Sequence, residues 1–278
     1  MPDRICRKLN NLKPSDLLVV ADLDESLLND QHILSEENRT AIKEFITAGG
    51  HFAVASARTE PPVRLLGIPT NVPSVLYNGS ALYDLNSDTF LWTQPMDIKA
   101  LELVKTLLFR FPGLGVEVIT QRGTYVVNRN HVTDFHIQLE HLQPLDTDIS
   151  PDVITEPWMK IMLDWEEEKL NVVLKWLDSE SDADRISFTY GFSNTFLIEI
   201  TSIKTNKGIA LEKLSGFLNI PLSSVIAIGD NLNDLQMMQT AGIRVAPANA
   251  RREILELADY ISVDHDEYVM RDLLRFLV

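Results

Sequence analysis

The stretch Leu17-Leu-Val-Val-Ala-Asp22-Leu-Asp24 decides the fold. An unbroken apolar run ends abruptly at two acids. A short continuous run of this kind marks a strand buried on both faces, as in a parallel sheet. Parallel α/β sheets bind their ligands beyond the carboxyl ends of the strands, where Asp22 and Asp24 fall. Two carboxylates so close repel each other unless a cation or a shared proton offsets the charge. A hard cation such as Mg²⁺ prefers these oxygens. A carboxylate can also attack phosphorus and form an acyl phosphate. Taken alone, the pair is equally well read as two solvated loop acids.

Working outward, Ser35 is placed to N-cap a helix over 36–48, with Ile42, Phe45 and Ile46 on one face. Gly49 and Gly50 end it. His51 to Ala55 is a second apolar strand and Ser74 to Tyr77 a third, giving a βαβ unit. Ser56 follows the second strand directly, with Arg58 close behind. A hydroxyl and backbone amides at a strand end can hold a phosphate oxygen.

The C-terminal part repeats this grammar. A helix over 207–218 opens with Lys207-Gly208. The strand Val225 to Ile228 ends at Gly229-Asp230. Helices are expected over 233–240, 250–257 and 267–277, with strands at 243–246 and 260–263. Asp230 and Asp234, with Asn231 and Asn233 among them, form a second acid cluster at an equivalent strand end. Acids in a first helical turn are common, but two clusters at two strand ends point to a shared metal. Lys207 is placed to neutralise phosphate charge and keep a nucleophilic aspartate ionised; by itself it reads as a solvated surface lysine.

The middle has a different pattern. A helix over 98–110 ends near Pro112-Gly113. Strands at 115–120 and 124–129 flank a turn at Gln121-Arg-Gly123. Strands at 158–164 and 185–190 bracket a helix over 167–178. The reading is a discontinuous α/β core, 1–84 plus 188–278, with an inserted α+β domain over 85–187. His131, His136 and His141 recur every fifth residue, about 140° apart on a helix, so they share no face and read as solvated. Glu166 to Glu168 suit the N-terminus of a helix. Trp158, Met159 and Met162 read as packing residues.

The formal net charge of −15 over 278 residues disfavours nucleic acid and anionic lipid as partners. It also requires any phosphate site to be locally positive. The single cysteine, Cys6, allows no internal disulfide, which suits a reducing compartment. Residues 1–16 lack the apolar core of a signal peptide. No apolar run reaches the roughly 20 residues of a membrane span. A cytoplasmic protein, monomeric or a small homo-oligomer, is expected.

Four segments together resemble the haloacid dehalogenase superfamily of phosphatases, specifically its Cof-type branch. They are Asp22-Leu-Asp-Glu-Ser-Leu-Leu28, Ala53-Val-Ala-Ser-Ala-Arg58, Lys207-Gly208 and Ile228-Gly-Asp-Asn-Leu-Asn-Asp234. Tyr77-Asn-Gly79, Val245-Ala-Pro-Ala-Asn249 and Ala258-Asp-Tyr-Ile261 add to the likeness. The resemblance implies a Rossmann-like parallel-sheet core with an inserted C2-type cap that reads the substrate. It implies a Mg²⁺-dependent phosphatase acting on a small phosphorylated metabolite, such as a sugar phosphate, through an aspartyl-phosphate on Asp22. Asp24 would be the general acid and base, and its backbone carbonyl would touch the metal. Asp230 would ligate Mg²⁺ with Asp234 in support. Ser56, Lys207 and Asn233 would hold the phosphoryl group, and Arg58 and Asn78 would meet the substrate.

The sequence departs from the family pattern at several points. Glu25 and Asn231 stand where the family usually has Gly, and Ala57 where Gly is frequent. Ser26 replaces the usual Thr but keeps its hydroxyl. Pro247-Ala248 alters the loop before Asn249, and His265 lies near a frequent Asn. These put turnover and substrate preference in question, not the metal site. A phosphomutase or phosphotransferase would use the same nucleophile. A non-catalytic phosphometabolite sensor would bind without turnover, and a phosphorylatable receiver is disfavoured by the large insert.

Overall fold

The computed structural model describes residues 2–179 and 187–278. After helix α1 (Pro2–Leu9) comes β1 (Leu18–Ala21), all four residues of which are buried. Helix α2 (Glu36–Thr47) starts where Ser35 Oγ accepts from Asn38 N at 3.2 Å, and it buries Ala41, Ile42 and Phe45. Strand β2 (His51–Val54) and the short α3 (Glu60–Leu65) follow. The next three strands, β3 (Ser74–Leu76), β4 (Ala81–Asp84) and β5 (Thr89–Thr93), form a small sheet of their own.

The middle of the chain holds α4 (Ala100–Arg110), β6 (Gly115–Thr120), β7 (Gly123–Asn128), α5 (His131–Leu139) and β8 (Asp146–Thr147). It continues with β9 (Trp158–Asp164), α6 (Glu167–Ser179), β10 (Phe188–Asn194) and β11 (Leu197–Ser202). These strands make one sheet in the order β10-β11-β9-β6-β7-β8. Alternation divides its faces. Val116, Val118, Ile161, Leu163, Ile198 and Ile200 share a core with Val104 and Leu107 of α4 and Leu170 and Val173 of α6. The intervening positions are also buried, yet they include Glu117, Lys160, Asp164 and Glu199.

The chain then runs through α7 (Lys207–Leu218), β12 (Val225–Ile228), α8 (Leu235–Thr240), β13 (Ile243–Ala246), α9 (Arg252–Leu257), β14 (Tyr260–Ile261) and α10 (Val269–Leu274). Its strands join the first two in a parallel sheet ordered β14-β13-β12-β1-β2. Leu18, Val20, Ala53 and Ala227 pack with Ala210, Leu211 and Leu214 of α7 and Met237 and Met238 of α8. Among the described residues no helix is long and apolar enough to cross a membrane.

Two compact units result, Met1–Trp92 with Thr205–Val278, and Thr93–Lys204. The joints differ from those expected at 84/85 and 187/188. Strand β5 stays with the first unit because it extends the β3-β4 sheet. Strand β11 pairs antiparallel with β9, and β10 with β11, so this hairpin belongs to the second unit rather than to the core. Residues 185 and 186 of the strand expected at 185–190 lie outside the described residues. One histidine also differs from the solvated position expected of it. His131 and His141 are exposed, but His136 is buried, with Nδ1 2.7 Å from Glu117 Oε1. Spacing that puts three residues on different faces leaves one free to turn toward the sheet.

Candidate active site

The register of the parallel sheet sets the site. Ala21 lies opposite Ile228 on one side and Val54 on the other. The three strands therefore end level, and Asp22, Ser56 and Asp230 emerge at one edge. Backbone bonds continue the ladder past the strand ends, from Asp22 N to Ile228 O at 2.9 Å and from Ala55 N to Ala21 O at 2.8 Å.

Lys207 enters from the first turn of α7. Asn206 caps that helix, its side chain accepting from Ile209 N at 2.9 Å. A tight loop braces the cap. Tyr77, Asn78 and Gly79 all hold positive φ, and a Cβ on Gly79 would come within 2.2 Å of the Asn206 backbone. Only glycine permits that approach.

The Lys207 side chain is fully buried. Its Nζ donates to Asp22 Oδ1 at 2.5 Å and to Asp234 Oδ1 at 2.6 Å. The other oxygen of Asp234 accepts the backbone N–H of Asp230 at 3.1 Å and of Asn231 at 3.2 Å. Asp234 thus ties the loop after β12 to the lysine. Asp230 Oδ1 accepts from Ser26 Oγ at 2.8 Å. One oxygen from each of Asp22, Asp230 and Asp234 lies within 4.8 Å of the others.

Three buried acids around one lysine leave the cluster short of positive charge. Burial, then the Asp234 charge, holds the Asp22 carboxyl well above its ordinary value against the pull of Lys207. Burial works to lower Lys207, but Asp22 and Asp234 outweigh it and raise the ammonium above its ordinary value. Burial and Asp234 push Asp230 up to about 6, with the Ser26 bond opposing. A divalent cation would relieve this imbalance, and an all-carboxylate donor set suits a hard ion. Asp234 has both oxygens engaged, so Asp22 and Asp230 are the better placed to ligate one.

Asp24 is directed elsewhere. Arg58 donates to both of its oxygens, Nε to Oδ2 at 2.9 Å and Nη2 to Oδ1 at 2.7 Å. His32 Nδ1 lies 3.0 Å from Oδ1. Burial alone would raise Asp24, but Arg58, then His32, holds it below the ordinary carboxylate value. Its side chain therefore stands outside the three-acid cluster. Ser56 is buried, and its Oγ accepts from Arg58 N at 3.1 Å. Asn78 N donates to Ser56 O at 3.0 Å, which joins these residues in one loop system. Asn233 is exposed on the turn that carries Asp234.

Two participants carry little signal in the sequence: Ser26 reads only as a substitute for Thr, and nothing local marks His32. Glu25 takes φ +56°, in the left-handed region where glycine is favoured. That conformation accounts for the family preference for glycine there.

The family model of the haloacid dehalogenase-like hydrolases matches residues 19–270. The chain belongs to that family. A Bacillus subtilis member named as a 5-amino-6-(5-phospho-D-ribitylamino)uracil phosphatase is 28% identical over 249 residues, covering 88% of this chain and 89% of that protein. A second Bacillus subtilis phosphatase is 27% identical, covering 94% of this chain and 99% of the relative. Among solved structures, a haloacid dehalogenase-like hydrolase from Bacteroides thetaiotaomicron superposes with a TM-score of 0.81 at 23% identity, over 93% of this chain and 98% of that one. At that identity the likeness speaks for the haloacid dehalogenase fold, a parallel-sheet core with a second α+β unit.

Proposed function

We propose that this hydrolase is a Mg²⁺-dependent phosphatase of a small phosphorylated metabolite, working through an aspartyl-phosphate on Asp22. Family membership and the phosphatase relatives support a phosphoric monoester hydrolase. The observation that carries the reading is Lys207, buried between Asp22 and Asp234 with Asp230 alongside.

Asp22 and Asp230 would hold Mg²⁺, with the Asp24 carbonyl as a further oxygen. When bound, Mg²⁺ supplies positive charge to the phosphoryl oxygens and to Asp22. An Asp22 oxygen attacks phosphorus, and the bond from phosphorus to the leaving oxygen breaks. Asp24 gives that oxygen its proton. Water then attacks the aspartyl-phosphate, Asp24 takes a proton from it, and inorganic phosphate leaves with Asp22 restored. Lys207 and the Ser56 hydroxyl steady the equatorial oxygens, since phosphoryl transfer depends on positioning and charge neutralisation. Asn233, on its exposed turn, is available to the phosphate or substrate. Arg58 keeps Asp24 ionised, which suits the second half-reaction. A phosphate dianion arriving beside Asp24 favours the protonated form needed in the first.

The second unit is the proposed cap that reads the leaving group. A sugar or polyol phosphate is the favoured class, in keeping with the phosphoribityl group in the name of one relative.

The test is phosphate release from an aryl phosphate and a panel of sugar and polyol phosphates. It is run with Mg²⁺, with chelator, and with Asp22→Asn. Mg²⁺-dependent release lost in Asp22→Asn is expected. Phosphoryl transfer to an added sugar in preference to water would replace this reading with a transferase. Mg²⁺ binding without release from any compound would favour a sensor.

A further inference from the structure

The second unit contains a buried polar cluster that the proposed chemistry does not use. Glu117 on β6 and Asp164 on β9 sit on neighbouring antiparallel strands. Gly115 pairs with Asp164 and Glu117 with Met162, so the two acids are diagonal neighbours on one face. Helix α5 places Thr133 and His136 over them, three residues apart and so on one side of the helix. Thr133 Oγ1 donates to Asp164 Oδ2 at 3.0 Å. His136 Nδ1 lies 2.7 Å from Glu117 Oε1.

Both carboxylates are fully buried, and one oxygen of each, Glu117 Oε2 and Asp164 Oδ1, has no partner beyond the other acid; burial, then the Glu117 charge, holds the Asp164 carboxyl well above its ordinary value. Unpaired buried carboxylate oxygens are costly. One ligand atom from each of Glu117, His136 and Asp164 lies within 4.8 Å of the other two. Ligands about 2.1 Å from a common ion stand up to about 4 Å apart, so small side-chain movements would close this set around one.

We propose that Glu117, His136 and Asp164 form a binding site for one first-row divalent cation of the Zn²⁺ class inside the second unit. The imidazole separates this site from the all-carboxylate cluster of the core. Mixed nitrogen and oxygen ligands suit Zn²⁺ or Co²⁺, whereas Mg²⁺ prefers oxygen alone. Thr133 supplies the outer hydrogen bond that fixes a ligating carboxylate. The ion would join β6, β9 and α5, and so act as a staple of this unit rather than in phosphate chemistry.

The test uses the full-length chain carrying Asp230→Asn and His265→Gln, which weaken the core cluster and the Asp30, His265 and Asp266 group without touching the second unit. Metal-free protein, shown to be folded by circular dichroism, is titrated with Co²⁺ and followed by visible absorption. We expect one equivalent of Co²⁺ with the d–d bands of a nitrogen-containing site, displaced by Zn²⁺. The thermal midpoint should rise with Zn²⁺. Adding His136→Gln or Glu117→Gln should weaken binding at least tenfold and remove the bands. With His265 also replaced, the Co²⁺ spectrum of this folded parent chain decides the matter even if a further variant fails to fold. Absence of Co²⁺ binding in that chain would overturn the proposal, leaving Glu117 and Asp164 as a carboxyl pair sharing a proton. Binding of equal strength in folded Glu117→Gln or His136→Gln would overturn it too.

Discussion

Arg58 holds both oxygens of Asp24 at once, at 2.9 and 2.7 Å. A planar guanidinium matched to a carboxylate fixes its orientation as well as its charge. Arg58→Ala removes the largest influence that lowers Asp24, leaving burial to raise it. The limb of the pH–rate profile that reports Asp24 is expected to move to higher pH, with kcat/KM down roughly 10- to 100-fold. Profiles of both proteins with an aryl phosphate would show this. An unmoved limb would mean that Arg58 does not govern Asp24.

Lys207 is the buried partner of Asp22 and Asp234. Lys207→Met leaves two facing carboxylates without their cation. Breaking a buried pair from one side costs about 3–5 kcal/mol. Urea unfolding in chelator is expected to show a loss of that order. A midpoint close to the parent's would show that the acids find relief elsewhere.

Asp230 titrates up to about 6, above its ordinary 3.8. The folded state therefore holds this proton more tightly than the unfolded chain does. The stabilisation from Asp230 is complete below the ordinary value and is lost as pH rises through about 6. Protons also compete with metal for the same oxygens. Mg²⁺ should thus raise the thermal midpoint more at neutral pH than at mildly acid pH. Equal increments under both conditions would remove Asp230 from the ligand set.

Gly79 admits no side chain, with the Asn206 backbone 2.2 Å from its hypothetical Cβ. Gly79→Ala is expected to push the start of α7 away and displace Lys207. Overpacking of this kind costs roughly 1–3 kcal/mol, before the penalty for positive φ. The variant should lose both stability and phosphate release. Normal activity in a destabilised protein would separate the loop from the placement of Lys207.

Glu25 offers the reverse case. Its left-handed φ of +56° is relieved in Glu25→Gly. The gain should be roughly 0.5–1 kcal/mol after the added chain entropy of glycine. Parallel denaturation curves would register it. A loss instead would point to a contact of the Glu25 side chain that offsets its backbone strain.

Much of this arrangement was legible in the sequence because it is local. Asp22 and Asp230 each follow an apolar strand, and Lys207 opens a helix, so simple patterning places all three. The Ser26–Asp230 bond spans 204 residues and leaves no local mark. The Arg58–Asp24 pair likewise depends on how the loops after β1 and β2 face each other. The β10–β11 hairpin reads as part of the core because strand patterning says nothing about which sheet a strand joins. His136 reads as solvated in the sequence because only the sheet beneath α5 reveals which histidine turns inward.

The discontinuity of the first unit affects how the protein can be made. Lys207 meets Asp22 across 185 residues, and β1 lies between β2 and β12. While a ribosome is still translating the second unit, β1 has only one of its two neighbours. Its other edge is an open template for mispairing until Val225–Ile228 emerges. The nascent chain therefore carries a two-stranded, unsealed half-sheet throughout synthesis of the second unit, and the acid cluster around Lys207 assembles only once Asp230 and Asp234 have emerged.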